Sequence, residues 1–384
     1  MPPPSPSTSL FLFHRFVRTD PNTTSDIPFQ GPVLTSQDKQ AVGFEEKQDE
    51  ADSIVRDFVL AADLKGLPLF SSLFLGGGSR YTCIHTVDKD LILIASDFPG
   101  DNSVEVILIY NAIDRSLRMI PTMPRTYPSI SSPIVLVARQ DDEDSSYTLV
   151  YPGTDAEGDA VLYMWPSSSK SPWSTVKKSH FCMPWRRFRA GEVFSFRGRG
   201  YWVDLFVGIM YCDCGDLISD VIDRVDIRTL DLPVECPVEI EFQKKVFRAI
   251  GPVGDSIKFV DINDYRDRKN CMVRVWRLLA DMTWALEYEL RFQSLLAGGQ
   301  FKGDAVPDFM NPMHPFLSPH EDHVIYFAVG TYDILPVPFA MLRVDLCSKT
   351  FNRTELLSPM AHYSLGVHVP LYTNTEGRLL GLTA

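Results

Sequence analysis

GYWVDLFVGIMYCDC, residues 200–214, decides how the chain is read, because its aromatic pair, aspartate, glycine and two cysteines fit a pocket, a metal site or a strand. β-Branched and aromatic residues dominate it, which favours a strand over 201–212. Side chains on a strand alternate faces, so the reading puts Tyr201, Val203, Leu205 and Val207 on one side and Trp202, Asp204 and Phe206 on the other. Trp202 then supplies apolar area for packing between sheets, and Asp204 accepts backbone N–H groups of a neighbouring turn. Gly208 relaxes a bulge or admits another backbone. Cys212 and Cys214, two apart, share a face if the strand continues. A zinc site asks for a closely spaced pair in a turn plus a second pair, and no C-x-x-C occurs anywhere in the chain.

The same texture extends outward. Strands are expected at 91–96, 104–111, 147–152, 161–165, 192–196, 256–262, 272–279, 324–330 and 339–346, separated by clusters of Gly, Asp, Asn, Ser and Pro. The 28 prolines fall mostly between these runs and oppose helices. Helices are few: 52–64 is ambiguous and 290–298 forms a short one. Strand, polar turn and strand recur in units of three to four strands roughly every 45 to 70 residues, which points to radially repeated sheets. The expected fold is all-β and β-propeller-like, with six or seven irregular blades over residues 51–384 after a poorly patterned segment at 1–50.

Composition narrows the function classes. A net charge of −12 opposes a generic nucleic-acid or anionic-membrane binder. No run of roughly 18 uncharged apolar residues exists, so no apolar helix is expected to span a bilayer. The seven scattered cysteines fit reduced thiols in the cytoplasm or nucleus better than a disulfide frame. Residues 1–18 carry Arg15 and Arg18 with no acid, in the manner of a transit peptide, but a plain start or an early strand fits better than organelle import.

Catalytic motifs do not assemble. HEDH (320–323) is one residue short of the zincin spacing and sits beside Pro319. GGGS (76–79) lacks the lysine and helix of a phosphate loop, no G-x-S-x-G occurs, and DDED (141–144) reads as a solvated acidic turn. One local feature opposes the global charge. Between Lys177 and Arg199 lie seven basic residues and one acid, Glu192, with Trp185 and Phe188 interleaved among Arg186, Arg187 and Arg189. Guanidinium groups beside aromatic rings can bind a carboxylate, a phosphate or an acidic peptide, which makes Trp185, Arg186, Arg187 and Arg189 the candidate binding residues.

GYWVDLFVGIMYCDC, the following LDLP, VRVWRLLADMTWALEYEL, HPFLSPHEDHVIYF and the leading FHRFVR (13–18) together resemble the plant family of unknown function numbered 1618, expanded in grasses. The family's Trp-x-Asp-Leu, Gly-Ile and following Asp match Trp202, Asp204, Leu205, Gly208, Ile209 and Asp213. The resemblance implies a propeller-like all-β fold and carries no established activity, substrate or catalytic residue.

The resulting expectation is a non-enzymatic scaffold that binds a protein or small ligand on a propeller face, with no cofactor, nucleic acid, membrane or oligomer called for. The alternative is a hydrolase-type enzyme whose residues converge from several blades at the channel, where sequence motifs do not report them. An adaptor for ubiquitin ligation is a third reading, weakened because the first 50 residues lack three amphipathic helices.

Overall fold

A computed structural model of the chain describes residues 9–13, 18–19, 33–34, 38–63, 70–76, 82–88, 91–98, 104–111, 115–121, 135–139, 146–155, 159–171, 175–180, 190–236, 247–264, 269–298, 311–318, 321–332, 336–356 and 369–373, with 157, 173, 188 and 267. Among these, six sheets account for most of the structure, and the chain is all-β and propeller-like in its organisation. Five sheets open with strands Thr82–Asp88, Leu136–Ala138, Glu192–Phe196, Arg248–Val253 and Asn311–Leu317, and each runs through four strands in chain order. Additional short strands run parallel at two sheet edges: Asp38–Ala41 beside Ser116–Pro121, and Arg224–Asp226 beside Thr175–His180. The remaining sheet joins sequence-distant segments, with Ser9–Phe13 antiparallel to Val369–Thr373 and parallel to Phe70–Gly76. Strands within the first 50 residues therefore pair with partners far along the chain, and such long-range pairing leaves little local sequence signature.

The helices are short, as expected, but differently bounded. Helix α1 covers Gln48–Asp57 and gives way to strand Val59–Asp63, so the 52–64 segment is half helix and half strand. Ala51 and Val55, four apart, form its buried stripe. Lys39 Nζ donates to the carbonyls of Arg56 (2.8 Å) and Phe58 (2.7 Å), which satisfies the helix end and places a cation at its negative pole. Helix α2 is Cys214–Ile218, and α3 is Phe292–Gly298.

The chain divides into two compact units: residues 1–203, 210–229 and 369–384, and residues 204–209 with 230–368. In the first unit, alternate residues of the sheets that open with Thr82–Asp88 and Leu136–Ala138 interlock. Leu91, Leu93, Ile107, Ile109, Ile120, Val135, Val137, Leu149, Trp165 and Trp173 form one continuous cluster. Each such side chain contributes about 1.5–3 kcal/mol by leaving water. Both indoles find acceptors, Trp165 at Ser171 O (3.1 Å) and Trp173 at Pro121 O (2.8 Å).

In the second unit, one face of the Arg248–Arg291 sheet carries a row of alternating charge across four strands. Arg248, Asp261, Arg274 and Glu289 occupy successive register positions. Arg248 Nε lies 2.7 Å from Asp261 Oδ1, and Arg274 Nε lies 2.6 Å from Glu289 Oε2. Side-chain exposure rises along the row from 0% at Arg248 to 44% at Glu289, so the inner pair is sealed and the outer pair is wet. Arg248 also donates to Leu205 O (2.9 Å), and the second Asp261 carboxylate oxygen makes no hydrogen bond. On the opposite face a bulge places Glu287 as the extra residue between Leu286 and Tyr288, and it salt-bridges buried Lys258 at 2.7 Å. Lys258 also lies 3.0 Å from Asp322 of the following sheet.

The opening stretch is not the single strand expected. The chain reverses: strand Arg199–Asp204, a turn at 205–207, and strand Gly208–Asp213 make a hairpin. Asp204 causes the reversal by accepting the Phe206 N–H at 2.9 Å through its side chain and the Val207 N–H at 3.2 Å through its carbonyl. Gly208 then adopts φ 151°, a backbone region that side chains with a Cβ rarely enter. The strand also stops at Asp213 rather than passing through Cys214. Asp213 caps α2 by accepting the Gly215 N–H at 2.9 Å, so Cys212 and Cys214 lie on different elements instead of one face.

Three outcomes follow. Trp202 is 0% exposed, so Trp202→Ala lowers unfolding free energy by about 3–5 kcal/mol in a denaturant titration. Arg248→Met strands the Asp261 carboxylate and costs about 3–5 kcal/mol, whereas Arg248→Met combined with Asp261→Leu recovers much of that loss. Burial holds His314 down to about 3 from an ordinary 6.5, so the neutral imidazole is the folded form. Its contribution to stability is complete above pH 6.5 and is lost as pH falls toward 3, about 3 kcal/mol between pH 7 and pH 4. His314 sits at φ 50°, a conformation asparagine tolerates, so melting of His314→Asn tracks this: its acid sensitivity is smaller than the wild type's.

Candidate functional site

The candidate binding residues Trp185, Arg186, Arg187 and Arg189 lie outside the described residues. Their basic stretch divides in function on either side of that gap. Lys177 is a correction to it: the side chain is buried, and Nζ donates to Asp216 O (2.8 Å) and Ser219 O (2.5 Å). It secures the C-terminal end of α2, with burial pulling its pKa down and Asp220, Asp216 and Asp223 opposing that pull. Lys178, the next residue, is exposed, as strand alternation requires. Arg197 and Arg199 remain, at the start of the hairpin that contains Trp202.

Strand Glu192–Phe196 joins Arg199–Asp204 through the two-residue turn Arg197-Gly198, with φ of 50° and 71°. Positive φ at both positions is the twist-matched hairpin turn, and it thrusts exposed Arg197 outward. The two faces then differ. Val193, Ser195, Gly200, Trp202 and Asp204 share one face by register. A Cβ built at Gly200 would sit 2.2 Å from Leu136 Cδ2, so glycine permits the sheet that opens with Leu136–Ala138 to approach there.

The other face carries Phe194, Phe196, Arg199 and Tyr201. Phe194 stacks on Tyr201 (5.2 Å between centroids), and Tyr201 stacks on Tyr211 of the returning strand (5.9 Å). Arg197 lies over Phe196 (5.4 Å), and Arg199 over Tyr211 (5.9 Å). Arg228, on strand Arg228–Leu230 beside the strand that carries Tyr211, is exposed and pairs with Asp226 at 3.1 Å. Burial raises the Tyr201 phenol, and a hydrogen bond to Arg199 opposes the rise. Tyr211 and Arg228 escaped the sequence reading because it drew 201–212 as one strand; only the hairpin brings Tyr211 beside Tyr201.

A second polar cluster gathers three opening strands of the first unit. Asp88 Oδ2 accepts from Arg139 Nε at 3.0 Å, and Oδ1 accepts from Ser195 Oγ at 3.2 Å. Thr86 Oγ1 donates to Val193 O at 3.2 Å. This is the kind of inter-sheet convergence a propeller hydrolase would use, yet both Asp88 oxygens are engaged in joining sheets.

The structure places the other motif residues within the fold. Trp202 and Asp204 are buried, Gly208 permits the turn, and Asp213 caps α2. Burial pushes the thiols of Cys212, Cys236 and Cys271 upward, Cys271 to about 12, which keeps them as protonated apolar side chains. His320 lies outside the described residues, and His323 Nε2 lies 3.6 Å from Asp345 in a turn. Among the described residues no group of three or more His, Cys, Asp or Glu is placed to hold a metal ion, and no helix is long and apolar enough to cross a membrane.

Residues 202–326 match the family described as protein of unknown function (DUF1618). No curated protein matches the sequence. Solved structures with related sheet arrangements include a puromycin-hydrolyzing peptidase of Mycobacterium tuberculosis, at 10% identity and TM-score 0.40, covering 72% of this chain and 39% of that one. A β-1,3-galactosidase of glycoside hydrolase family 43 has 12% identity and TM-score 0.32, covering 73% and 60%. The WD40 domain of SCAP from fission yeast has 11% identity and TM-score 0.35, covering 86% and 88%. The chain thus spans well under two thirds of the first two proteins.

Proposed function

We propose that the chain is a non-enzymatic recognition scaffold that binds a protein or small ligand through the arginine–aromatic edge of the hairpin sheet. Its protonated thiols suit the reducing cytoplasm or nucleus. The observation that carries this reading is the placement of Arg197 over Phe196 and Arg199 over Tyr211, with exposed Arg228 on the neighbouring strand of the same sheet. Arginine and tyrosine are the residues most often responsible for binding energy at interfaces, and rings that pre-order the guanidinium groups reduce the entropy lost on binding. Trp185, Arg186, Arg187 and Arg189, which precede this sheet in the sequence, are proposed as further binding residues.

Crosslinking and affinity capture from native tissue test it with three baits: the wild type, a chain with Arg186, Arg187 and Arg189 changed to Glu, and Tyr211→Ala. The scaffold reading predicts a specific partner held by the wild type and depleted with both variants, under conditions where their melting curves stay cooperative. Equal recovery with all three baits contradicts the assigned surface, and the absence of any specific partner contradicts the scaffold.

A further inference from the structure

We infer that the second unit carries a docking surface of its own, at the outer edge of the Arg248–Arg291 sheet. It fits an extended segment of a partner protein that sets a large apolar side chain between lysines or arginines. Among the described residues four large apolar side chains are strongly exposed, and three of them, Val234, Leu279 and Leu286, lie in one short segment and one hairpin of this unit. Strand Trp284–Arg291 completes that hairpin and is the last strand of its sheet. By register Trp284, Leu286 and Glu289 lie opposite Leu278, Trp276 and Arg274. Leu286 is 49% exposed, although Trp276 opposite it is buried.

Residues 231–236 follow the same face. At one end Trp284 Nε1 donates to Asp231 O at 2.9 Å. At the other end Cys236 is buried near the charge row: burial and the Asp261 charge raise its thiol, and Arg248 opposes the rise. Leu286 falls between these two points in register. A turn closed by the Cys236 N–H on Pro233 O, at 2.9 Å, lifts Val234 and Glu235 away from buried Leu232 and Pro233. Such turn positions ordinarily hold Gly, Asn, Asp or Ser, yet here a valine stands 97% exposed. Apolar side chains grouped inside a polar rim mark an interaction site.

The rim is acidic. Asp231, Glu235 and Asp281 are exposed, and bonds from the Thr283 hydroxyl and N–H hold the Asp281 carboxyl below its ordinary range. Lysines or arginines on either side of an apolar anchor complement this pattern, and the net charge of −12 steers them in. A second copy of the chain would set acid against acid, and nucleic acid meets the same repulsion. The extended form follows from the other sheets. Asp38–Ala41 and Arg224–Asp226 lie parallel to the outer strands of two of them, whereas Trp284–Arg291 has no such neighbour among the described residues. An added strand turns alternate side chains to one face, so its apolar anchor meets Leu286 and Val234 while residues two places away meet the rim.

The test uses the full chain and a fluorescein-labelled peptide of about nine residues, Lys-Ser-Lys-Ser-Leu-Ser-Lys-Ser-Lys, read by anisotropy at about 50 and 300 mM salt. Saturable binding is expected, several-fold weaker at the higher salt. Val234→Ser with Leu286→Ser weakens it about tenfold and leaves the salt dependence in place. Asp231→Asn with Glu235→Gln also weakens it and flattens the salt dependence. Val234 and Leu286 are exposed, so the melting curve of their double variant matches the wild type's. An isomeric peptide with the leucine and one adjacent serine exchanged binds several-fold more weakly, because its anchor turns to the other face. Absence of peptide binding, or equal affinity in the wild type and the Val234→Ser, Leu286→Ser variant, overturns the inference. Equal binding of the isomer does so too, as does a dimer in sedimentation that Leu286→Ser dissolves, which would give this face to a second copy.

Discussion

The reversal of the chain at Asp204 is the constraint from which the site follows. A carboxylate buried to 3% exposure is costly unless hydrogen-bonded, and here the Phe206 N–H two residues on satisfies it. That bond folds the backbone into a turn whose exit needs the unusual torsion of Gly208. Without the reversal, Tyr211 would lie far from Tyr201 and from Arg199. Burial and recognition are separated by strand alternation: Gly200 and Trp202 take the face toward Leu136, while Arg199 and Tyr201 take the other.

Buried charge elsewhere serves cohesion. Asp88 joins three sheets in the first unit, Lys177 secures α2, and in the second unit Lys258 links one sheet to the next while Arg248 ties Asp261 to the turn at Leu205. Each is paired, as low-dielectric burial demands. In the hairpin sheet, Arg197 and Arg199 also lie over aromatic faces, those of Phe196 and Tyr211, which help to order their side chains.

Much of the fold was legible. Strands at 104–111 and 192–196 appear at the expected bounds, and 91–98, 148–154, 160–166 and 256–263 within two residues, because short β-branched runs between turn residues carry a period-two signal. The hairpin at 199–213 was not legible. Its turn residues Leu205, Phe206 and Val207 are apolar, and the information resides in the side-chain acceptor at Asp204 and the torsion of Gly208. Lys177 read as one of a basic run, although alternation with exposed Lys178 directs it inward. Arg228 was missed for a different reason: it lies 29 positions beyond Arg199, and only sheet pairing brings its strand beside the one that carries Tyr211.

The most direct test of the account is a nuclear Overhauser experiment on chain with selectively labelled tyrosine rings. The hairpin predicts cross-peaks between the rings of Tyr201 and Tyr211, whose centroids lie 5.9 Å apart. A single extended strand would hold them about 33 Å apart at ~3.3 Å per residue. Cross-peaks from each ring to other neighbours, with none between the two, would contradict the reversal and the site built on it.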